Sequence, residues 1–153
     1  MAFVSRQIAD EMRAMHPART FNLEISGDTE GEWDKPRIGQ VFSNLLGNAV
    51  QYGFTDLPIS IAIKGDSKEV SLSVHNDGVP IPTAVIGGIF DSLTRGRNSD
   101  RPGSMNLGLG LYITKEIVSA HGGSVGVTSS EKDGTTFTAR FPRSLSATAI
   151  STA

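Results

Sequence analysis

Two predicted β-hairpins constrain the fold of this chain more than any other feature of its sequence. Residues 59–64 and 69–74 are β-rich runs joined by a Gly-Asp-Ser-Lys turn, and residues 124–129 and 135–141 flank an Asp-Gly turn. Such turns between such runs are typical of paired antiparallel strands. Residues 21–25, in which apolar and polar side chains alternate, predict one further strand.

Three segments carry the apolar spacing of amphipathic helices. They are residues 3–15, 34–52 and 109–120. Asp34 is a predicted N-cap for the second helix, and Gly53 is its predicted end. Two shorter elements are also predicted: a helix around residues 83–87 and an edge strand at residues 31–33. We expect one domain, residues 1–143, followed by a Ser, Thr and Ala-rich tail, residues 144–153.

Composition excludes several classes of function. The formal net charge of −2 provides no basic field for a phosphate backbone, so nucleic acid is not an expected partner. The absence of cysteine excludes disulfides and thiolate metal sites, and it fits a cytoplasmic protein. No apolar run reaches the roughly 20 residues that cross a bilayer. We expect no direct membrane contact by this domain, although its parent protein could be soluble or membrane-anchored.

Asn44 and Asn48 lie four residues apart on the second predicted helix, and they therefore project from the same face. A carboxamide oxygen is a neutral, hard ligand that suits Mg²⁺ already bound to phosphate. Hydrogen bonding along the helix face is the structural alternative for this pair.

Residues 74–82 run from a strand directly into a turn that contains Asn76, Asp77 and Gly78. Asn76 can present its amide to the edge of a base, while Ile81 provides an apolar wall. Asp77 is expected to point the opposite way if the strand continues through it. An ordinary Asn-Asp-Gly turn would use the same residues.

Gly108 and Gly110 stand at the predicted opening of the third helix. Free backbone amides at a helix N-terminus can bind phosphate, helped by the helix dipole. The pattern is not a dinucleotide fingerprint, because an irregular loop precedes it and a third glycine is missing, and no P-loop occurs in the chain.

In this order, the three segments resemble the N, G1 and G2 boxes of the GHKL ATPase superfamily, specifically the catalytic, ATP-binding domain of sensor histidine kinases. Residues 87–93 resemble the F box, and the resemblance extends to residues 134–142. It implies an α/β fold: a two-layer α/β sandwich in which a mixed sheet of about five strands carries three helices on one face. It implies ATP and Mg²⁺ as cofactors.

The resemblance also implies roles for individual residues. Asn48 matches the Mg²⁺ ligand, Asn44 its companion facing the phosphates, and Tyr52 the aromatic side chain beside adenine. A lid at residues 92–106 would bring arginines to the γ-phosphate, or it is simply a solvated basic loop. The catalytic residues implied are Asn44, Asn48, Arg95 and Arg97. The ATP contacts implied are Asn44, Asn48, Gln51, Tyr52, Asn76, Gly78, Pro80, Ile81, Phe90, Arg101, Leu107, Gly108, Leu109, Gly110, Leu111 and Thr135.

Three positions depart from the family pattern. Gln51 replaces a basic residue, Asn76 replaces the aspartate that reads adenine, and Pro80 replaces a glycine. Asn76 could still accept from the adenine amino group, but without charge it should bind more weakly. Boxes of this type are similar to those of phytochrome-like kinases, which suggests a subfamily.

The function implied is transfer of the ATP γ-phosphoryl group to a histidine on a separate dimerisation domain, with a response regulator downstream. His16, His75 and His121 lack the sequence context of a phosphoacceptor. A kinase-like docking domain with a degenerate site is the main alternative. A hydrolysing relative of the gyrase or Hsp90 type would carry glutamate at position 44, because an amide cannot accept the proton of water. A switch kinase that phosphorylates serine shares the fold.

Overall fold

The computed structural model describes residues 1–91 and 102–143, with the backbone alone for residues 102–108. The elements, in chain order, are α1 (Ala2–Met15), β1 (Phe21–Ser26), α2 (Lys35–Tyr52), β2 (Ile59–Gly65), β3 (Glu69–Asn76), α3 (Thr83–Ile86), α4 (Pro102–Ala120), β4 (Ser124–Ser130) and β5 (Gly134–Pro142). Both predicted hairpins, the strand near residue 21 and the short helix near residue 83 are confirmed. The expected tail, residues 144–153, lies outside the described residues.

The five strands form one mixed sheet in the order β1-β2-β3-β5-β4. The β1–β2 pair is parallel, whereas the β2–β3, β3–β5 and β4–β5 pairs are antiparallel. The central strand β3 therefore pairs on one side with its hairpin partner and on the other with the last strand of the chain. This arrangement confirms the predicted α/β fold with a mixed five-stranded sheet.

The two faces of the sheet differ because side chains alternate along each strand. Ile61 on β2, Leu72 on β3 and Ala139 on β5 are fully buried, while Ser73 and Thr138 face the other side and lie 3.2 Å apart through their hydroxyl oxygens. The long helices α1, α2 and α4 pack on the apolar face. The result is a two-layer domain in which the other, polar face of the sheet carries no helix from residues 1–91 or 102–143.

Helix α2 begins and ends where the sequence predicts. The Asp34 side chain accepts a hydrogen bond from the Arg37 amide at 3.2 Å, as an N-cap does, and the Gly53 amide donates to the Ala49 carbonyl at 2.9 Å. The Arg19 guanidinium donates to the Val50 carbonyl at 3.0 Å. A cation at this end of the helix satisfies a carbonyl that has no partner within the helix and complements the dipole.

His121 joins the end of α4 to the start of α2. Its Nδ1 lies 2.8 Å from the Ile117 carbonyl oxygen, and its Nε2 lies 3.2 Å from the Asp34 amide nitrogen. A carbonyl can only accept and an amide N–H can only donate, so the ring carries its proton on Nδ1 and accepts at Nε2. The ring also packs edge-on against Phe141. His121 is therefore a structural link between two helices.

The predicted edge strand at residues 31–33 is wrong. The Glu32 amide donates to the Arg143 carbonyl at 2.8 Å, and the Trp33 indole donates to the Pro142 carbonyl at 2.8 Å. These two single bonds tie the segment to the end of β5 and the residue after it, without a strand ladder. The segment is part of the loop between β1 and α2.

Candidate nucleotide-binding site

The end of α2 and the turn after β3 meet through two glycines. Gly53 and Gly78 form an isolated antiparallel bridge, and the Phe54 amide donates to the Asp77 carbonyl at 2.7 Å. A Cβ added to Gly78 would lie 2.4 Å from the carbonyl oxygen of Tyr52, a distance that no side chain tolerates. The sequence predicts that these two segments belong to one site. Glycine is required at position 78 for them to be in contact.

Asn44 connects α2 to α4. Its Nδ2 donates to the Gly110 carbonyl at 3.2 Å and to the Thr114 hydroxyl at 3.3 Å. The predicted N box and G2 box, which are far apart in the sequence, are thus in direct contact. Asn44 itself is half-buried.

Asn48, one turn further along α2, has 6% of its surface exposed. Its Nδ2 is buried and has no hydrogen-bond partner among the residues that the structure describes. A buried amide without a partner carries a desolvation cost of about 1–3 kcal/mol. A ligand that bound at this amide would relieve that cost.

The donor set around these two asparagines suits Mg²⁺ held jointly with phosphate. Within residues 1–91 and 102–143, no group of three His, Cys, Asp or Glu residues could hold a metal ion. Mg²⁺ takes oxygen ligands, retains several waters and commonly shares substrate phosphates. The unpaired Nδ2 of Asn48 is a donor that fits a phosphate oxygen, and the neutral amide oxygens of Asn44 and Asn48 fit a metal ion that arrives with that phosphate.

Asn76 ends β3 beside Thr135 of β5, and each has 5% of its surface exposed. The Thr135 hydroxyl lies 2.7 Å from the Ser129 hydroxyl, which in turn accepts from the Ile81 amide at 2.9 Å. The loop from Gly78 to Ile81 is thus held by the last hairpin. Ser129 was not predicted from the sequence as a residue of this site. The register of the last hairpin, which pairs Ser129 with Thr135, is the signal that could have identified it.

Asp77 points away from Asn76, as predicted. The His75 Nε2 lies 3.5 Å from Asp77 Oδ1, and its Nδ1 lies 2.8 Å from the Thr136 hydroxyl, on the polar face of the sheet. The contacts among His75, Asp77 and Thr136 therefore stabilise the turn on the polar face of the sheet. Asn76, on the opposite side, is left to face the helices.

The F-box segment packs between the sheet and α4. Ile89 is fully buried, and the Phe90 ring stands edge-on to Phe137 with 6.0 Å between centroids. Asp91 accepts from the Lys115 ammonium at 3.0 Å. Phe90 therefore supports the core from the edge of the site.

Helix α4 begins at Pro102, earlier than residue 109, so the prediction that Gly108 and Gly110 open the helix is wrong for this structure. Proline suits a first helical turn because it lacks the amide proton that such a turn leaves unpaired. The amides of Gly108 and Gly110 fall beyond the first four residues, where helical amides bond carbonyls four residues earlier. These amides could reach phosphate only if the start of α4 unwound.

The remaining predicted residues are distributed unevenly. Gln51, Tyr52 and Leu109 are exposed near the site, and Pro80 and Ile81 are half-buried. The Leu111 side chain is fully buried, so it packs the core and does not line an open site. Arg95, Arg97 and Arg101 lie outside the described residues, as do the Leu107 side chain and residues 92–101 of the predicted lid.

Known proteins resemble this chain over most of its length. A family model described as histidine kinase-, DNA gyrase B-, and HSP90-like ATPase matches residues 33–145. Sensor protein CzcS of Cupriavidus metallidurans is 28% identical over 90% of this chain and 29% of its own length. A bacteriophytochrome of Pseudomonas aeruginosa is 31% identical over 90% of this chain and 19% of its own length. The catalytic domain of histidine kinase ThkA superposes with a TM-score of 0.77 at 27% identity, covering 94% of each chain.

The fold, the matched family and the contacts between boxes define an ATP-binding domain of the GHKL type, and the chain belongs to the family of histidine kinase-, DNA gyrase B- and HSP90-like ATPases. Within that family it is a catalytic domain of the sensor histidine kinase type. The chain spans less than a third of the curated relatives named above. A phytochrome-like subfamily stays a prediction. In the described parts of the chain, no helix has both the length and the apolar character to cross a membrane.

Proposed function

We propose that this domain binds ATP with Mg²⁺ and transfers the γ-phosphoryl group to a histidine on a separate dimerisation domain, from which a response regulator is phosphorylated. The observation that carries the proposal is the pair of amides at Asn44 and Asn48, of which Asn48 has a buried Nδ2 donor without a partner among the described residues. Both amides lie on α2, within the residues that the family model matches. Their chemistry fits a metal–phosphate group.

When bound, Mg²⁺ would neutralise phosphate charge, and Asn48 and Asn44 are the residues that would hold it. Asn76, buried at the end of β3, would read the edge of the base, while the Ser129 hydroxyl keeps the adjoining loop in place. In phosphoryl transfer, positioning and electrostatic stabilisation contribute most of the rate. We assign γ-phosphate contacts to Arg95, Arg97 and Arg101 from the resemblance alone.

Transfer to a protein is favoured over hydrolysis by the residue at position 44. A general base must accept a proton from water, and the amide of Asn44 cannot do so. Its nitrogen is, moreover, already donating to Gly110 and Thr114. The isolated domain should therefore bind ATP with little turnover.

Two of the chain's three histidines, His75 and His121, are poor acceptors of the phosphoryl group. His121 is buried, with both ring nitrogens engaged by backbone groups. His75 lies on the sheet face opposite the helices, between Thr136 and Asp77. These contacts support an acceptor histidine from a separate domain.

The test is a calorimetric titration with ATP and ADP, with and without Mg²⁺, of the unsubstituted domain, Asn48→Asp and Asn76→Ala. Micromolar, Mg²⁺-dependent binding that either substitution weakens is the expected result. Asn22→Ala, an exposed asparagine on β1, is the matched control and should bind as the unsubstituted domain does. Brisk hydrolysis would contradict the transfer assignment, and failure to bind any nucleotide would favour a degenerate docking domain.

A further inference from the structure

Thr114 is a polar residue at a fully buried position of α4. Its hydroxyl oxygen accepts a hydrogen bond from Asn44 Nδ2 at 3.3 Å, across the interface between α4 and α2. A buried hydroxyl is tolerated when it is hydrogen-bonded. The partner here is a side chain of the proposed nucleotide site, which gives Thr114 a task that an apolar residue could not perform.

The two bonds made by Asn44 fix which end of its amide faces α4. The carbonyl oxygen of Gly110, 3.2 Å from Nδ2, can only accept a hydrogen bond. With the amide turned over, two oxygens would face each other and the bond would become a repulsion. The hydrogen-bond network therefore assigns the nitrogen to α4, and Oδ1 is the polar atom of Asn44 left for a ligand.

We infer that Thr114 is a positioning residue: together with the Gly110 carbonyl, it holds Asn44 so that the site receives an amide oxygen and no amide hydrogen. Asn44 then acts as an acceptor, towards a metal ion or a water bound to it, and cannot donate to a phosphate oxygen. This inference rests on the proposed function. It refines the expectation that Asn44 faces the phosphates.

Replacing Thr114 with valine removes the hydroxyl at nearly constant volume, so the packing of α4 on α2 is retained. One of the two acceptors that hold Nδ2 disappears, while the Gly110 carbonyl remains. The amide becomes freer to turn, and Oδ1 faces the metal for a smaller fraction of the time. The free energy of one hydrogen bond corresponds to a loss of roughly fivefold in affinity. The loss should affect ATP binding in the presence of Mg²⁺ and not binding in its absence.

The experiment measures the dissociation constant of ATP with and without Mg²⁺, by calorimetry on the whole 153-residue chain. The quantity compared between variants is the dissociation constant without Mg²⁺ divided by that with Mg²⁺. This Mg²⁺ ratio measures how much the metal strengthens ATP binding. The variants are Thr114→Val, Thr114→Ser and, as the matched control, Thr138→Val, whose hydroxyl pairs with Ser73 on the polar sheet face. Thermal unfolding and the side-chain amide resonances of Asn44 in ¹⁵N-edited NMR spectra provide readouts that do not depend on turnover.

Thr114→Val should reduce the Mg²⁺ ratio about fivefold, with ATP affinity in the absence of Mg²⁺ unchanged and with shifted Asn44 amide resonances. Thr114→Ser should restore both, and Thr138→Val should change neither. An unchanged Mg²⁺ ratio in Thr114→Val would overturn the inference alone, and so would an equal loss with and without Mg²⁺. If the unsubstituted domain does not bind ATP at all, the proposed function falls and the inference falls with it.

Discussion

Gly110→Ala should make the domain more stable and its nucleotide binding weaker. Gly110 lies inside α4, and a Cβ at this position would meet the Asn44 side chain at 3.7 Å, which is ordinary van der Waals contact. Alanine in a helix interior is more stable than glycine by about 0.5–1 kcal/mol. For a domain of this size, that gain corresponds to a rise of about 1–4 °C in Tm.

The free energy by which Gly110→Ala stabilises the domain should also weaken its binding of nucleotide. The amides near Gly110 can meet phosphate only if the start of α4 unwinds, and alanine raises the cost of unwinding by the amount it adds to stability. A cost of about 0.5–1 kcal/mol weakens binding by about twofold to fivefold. Differential scanning calorimetry measures the first effect, and titration with ATP and Mg²⁺ measures the second.

Gly39→Ala is the matched control. Gly39 lies inside α2, and a Cβ there would meet Val4 and Ile8 of α1 at 3.8 and 3.9 Å. It should raise Tm by a similar amount and leave ATP binding unchanged. The reasoning is refuted if Gly110→Ala binds ATP as tightly as the unsubstituted domain, because α4 would then bind without unwinding. A lower Tm for Gly110→Ala would instead show that the Asn44 contact does not accommodate a methyl group.

Three further predictions follow from single contacts. Asn76→Asp should increase the preference for ATP over inosine triphosphate in competition titrations. The amide of asparagine can turn to pair with either the amino group of adenine or the oxo group of inosine, whereas a carboxylate only accepts. An equal preference in the substituted and unsubstituted domains would contradict this role. His121→Ala should lower the free energy of unfolding, measured in urea, by roughly 2–4 kcal/mol, because it leaves the Asp34 amide unpaired and creates a cavity between α2 and α4. A loss below about 1 kcal/mol would argue against a structural role of His121 in joining these helices. Backbone amides of Glu69 and Lys68 hold the pKa of Asp66 below its usual 3.8, so its stabilising contribution is present above pH 3.8 and is lost as pH falls through the lowered pKa. The stability difference between the unsubstituted domain and Asp66→Asn should therefore narrow below pH 3.8 in acid unfolding curves, and a difference that grew in acid would oppose this assignment.

The elements that the sequence predicted correctly are those specified by nearby residues. The α2 cap, its Gly53 end and both hairpin turns each depend on residues within a few positions of one another, and propensity is informative at that range. The start of α4 was missed because glycines lower helix propensity, while contacts with α2 outweigh a cost of about 1 kcal/mol per glycine.

The contacts that build the candidate site depend on tertiary structure and were not predictable from local pattern. Thr114 lies 70 residues from Asn44 and Ser129 lies 48 from Ile81. Nothing near Thr114 in the sequence marks it as the acceptor for an amide on another helix. The chemistry of Asn44, Asn48 and Asn76 was visible in the sequence, but the residues that orient these side chains became visible only in the fold.

The position of β3 has a consequence for how the domain folds. One neighbour, β2, precedes it by a short turn, but the other, β5, follows it by more than fifty residues and carries Thr135, which pairs with Asn76. Closing so long a loop costs entropy before its contacts repay it, so this half of the sheet should form late. During synthesis, the side of the site around Asn76 would therefore stay incomplete until almost the whole domain had left the ribosome.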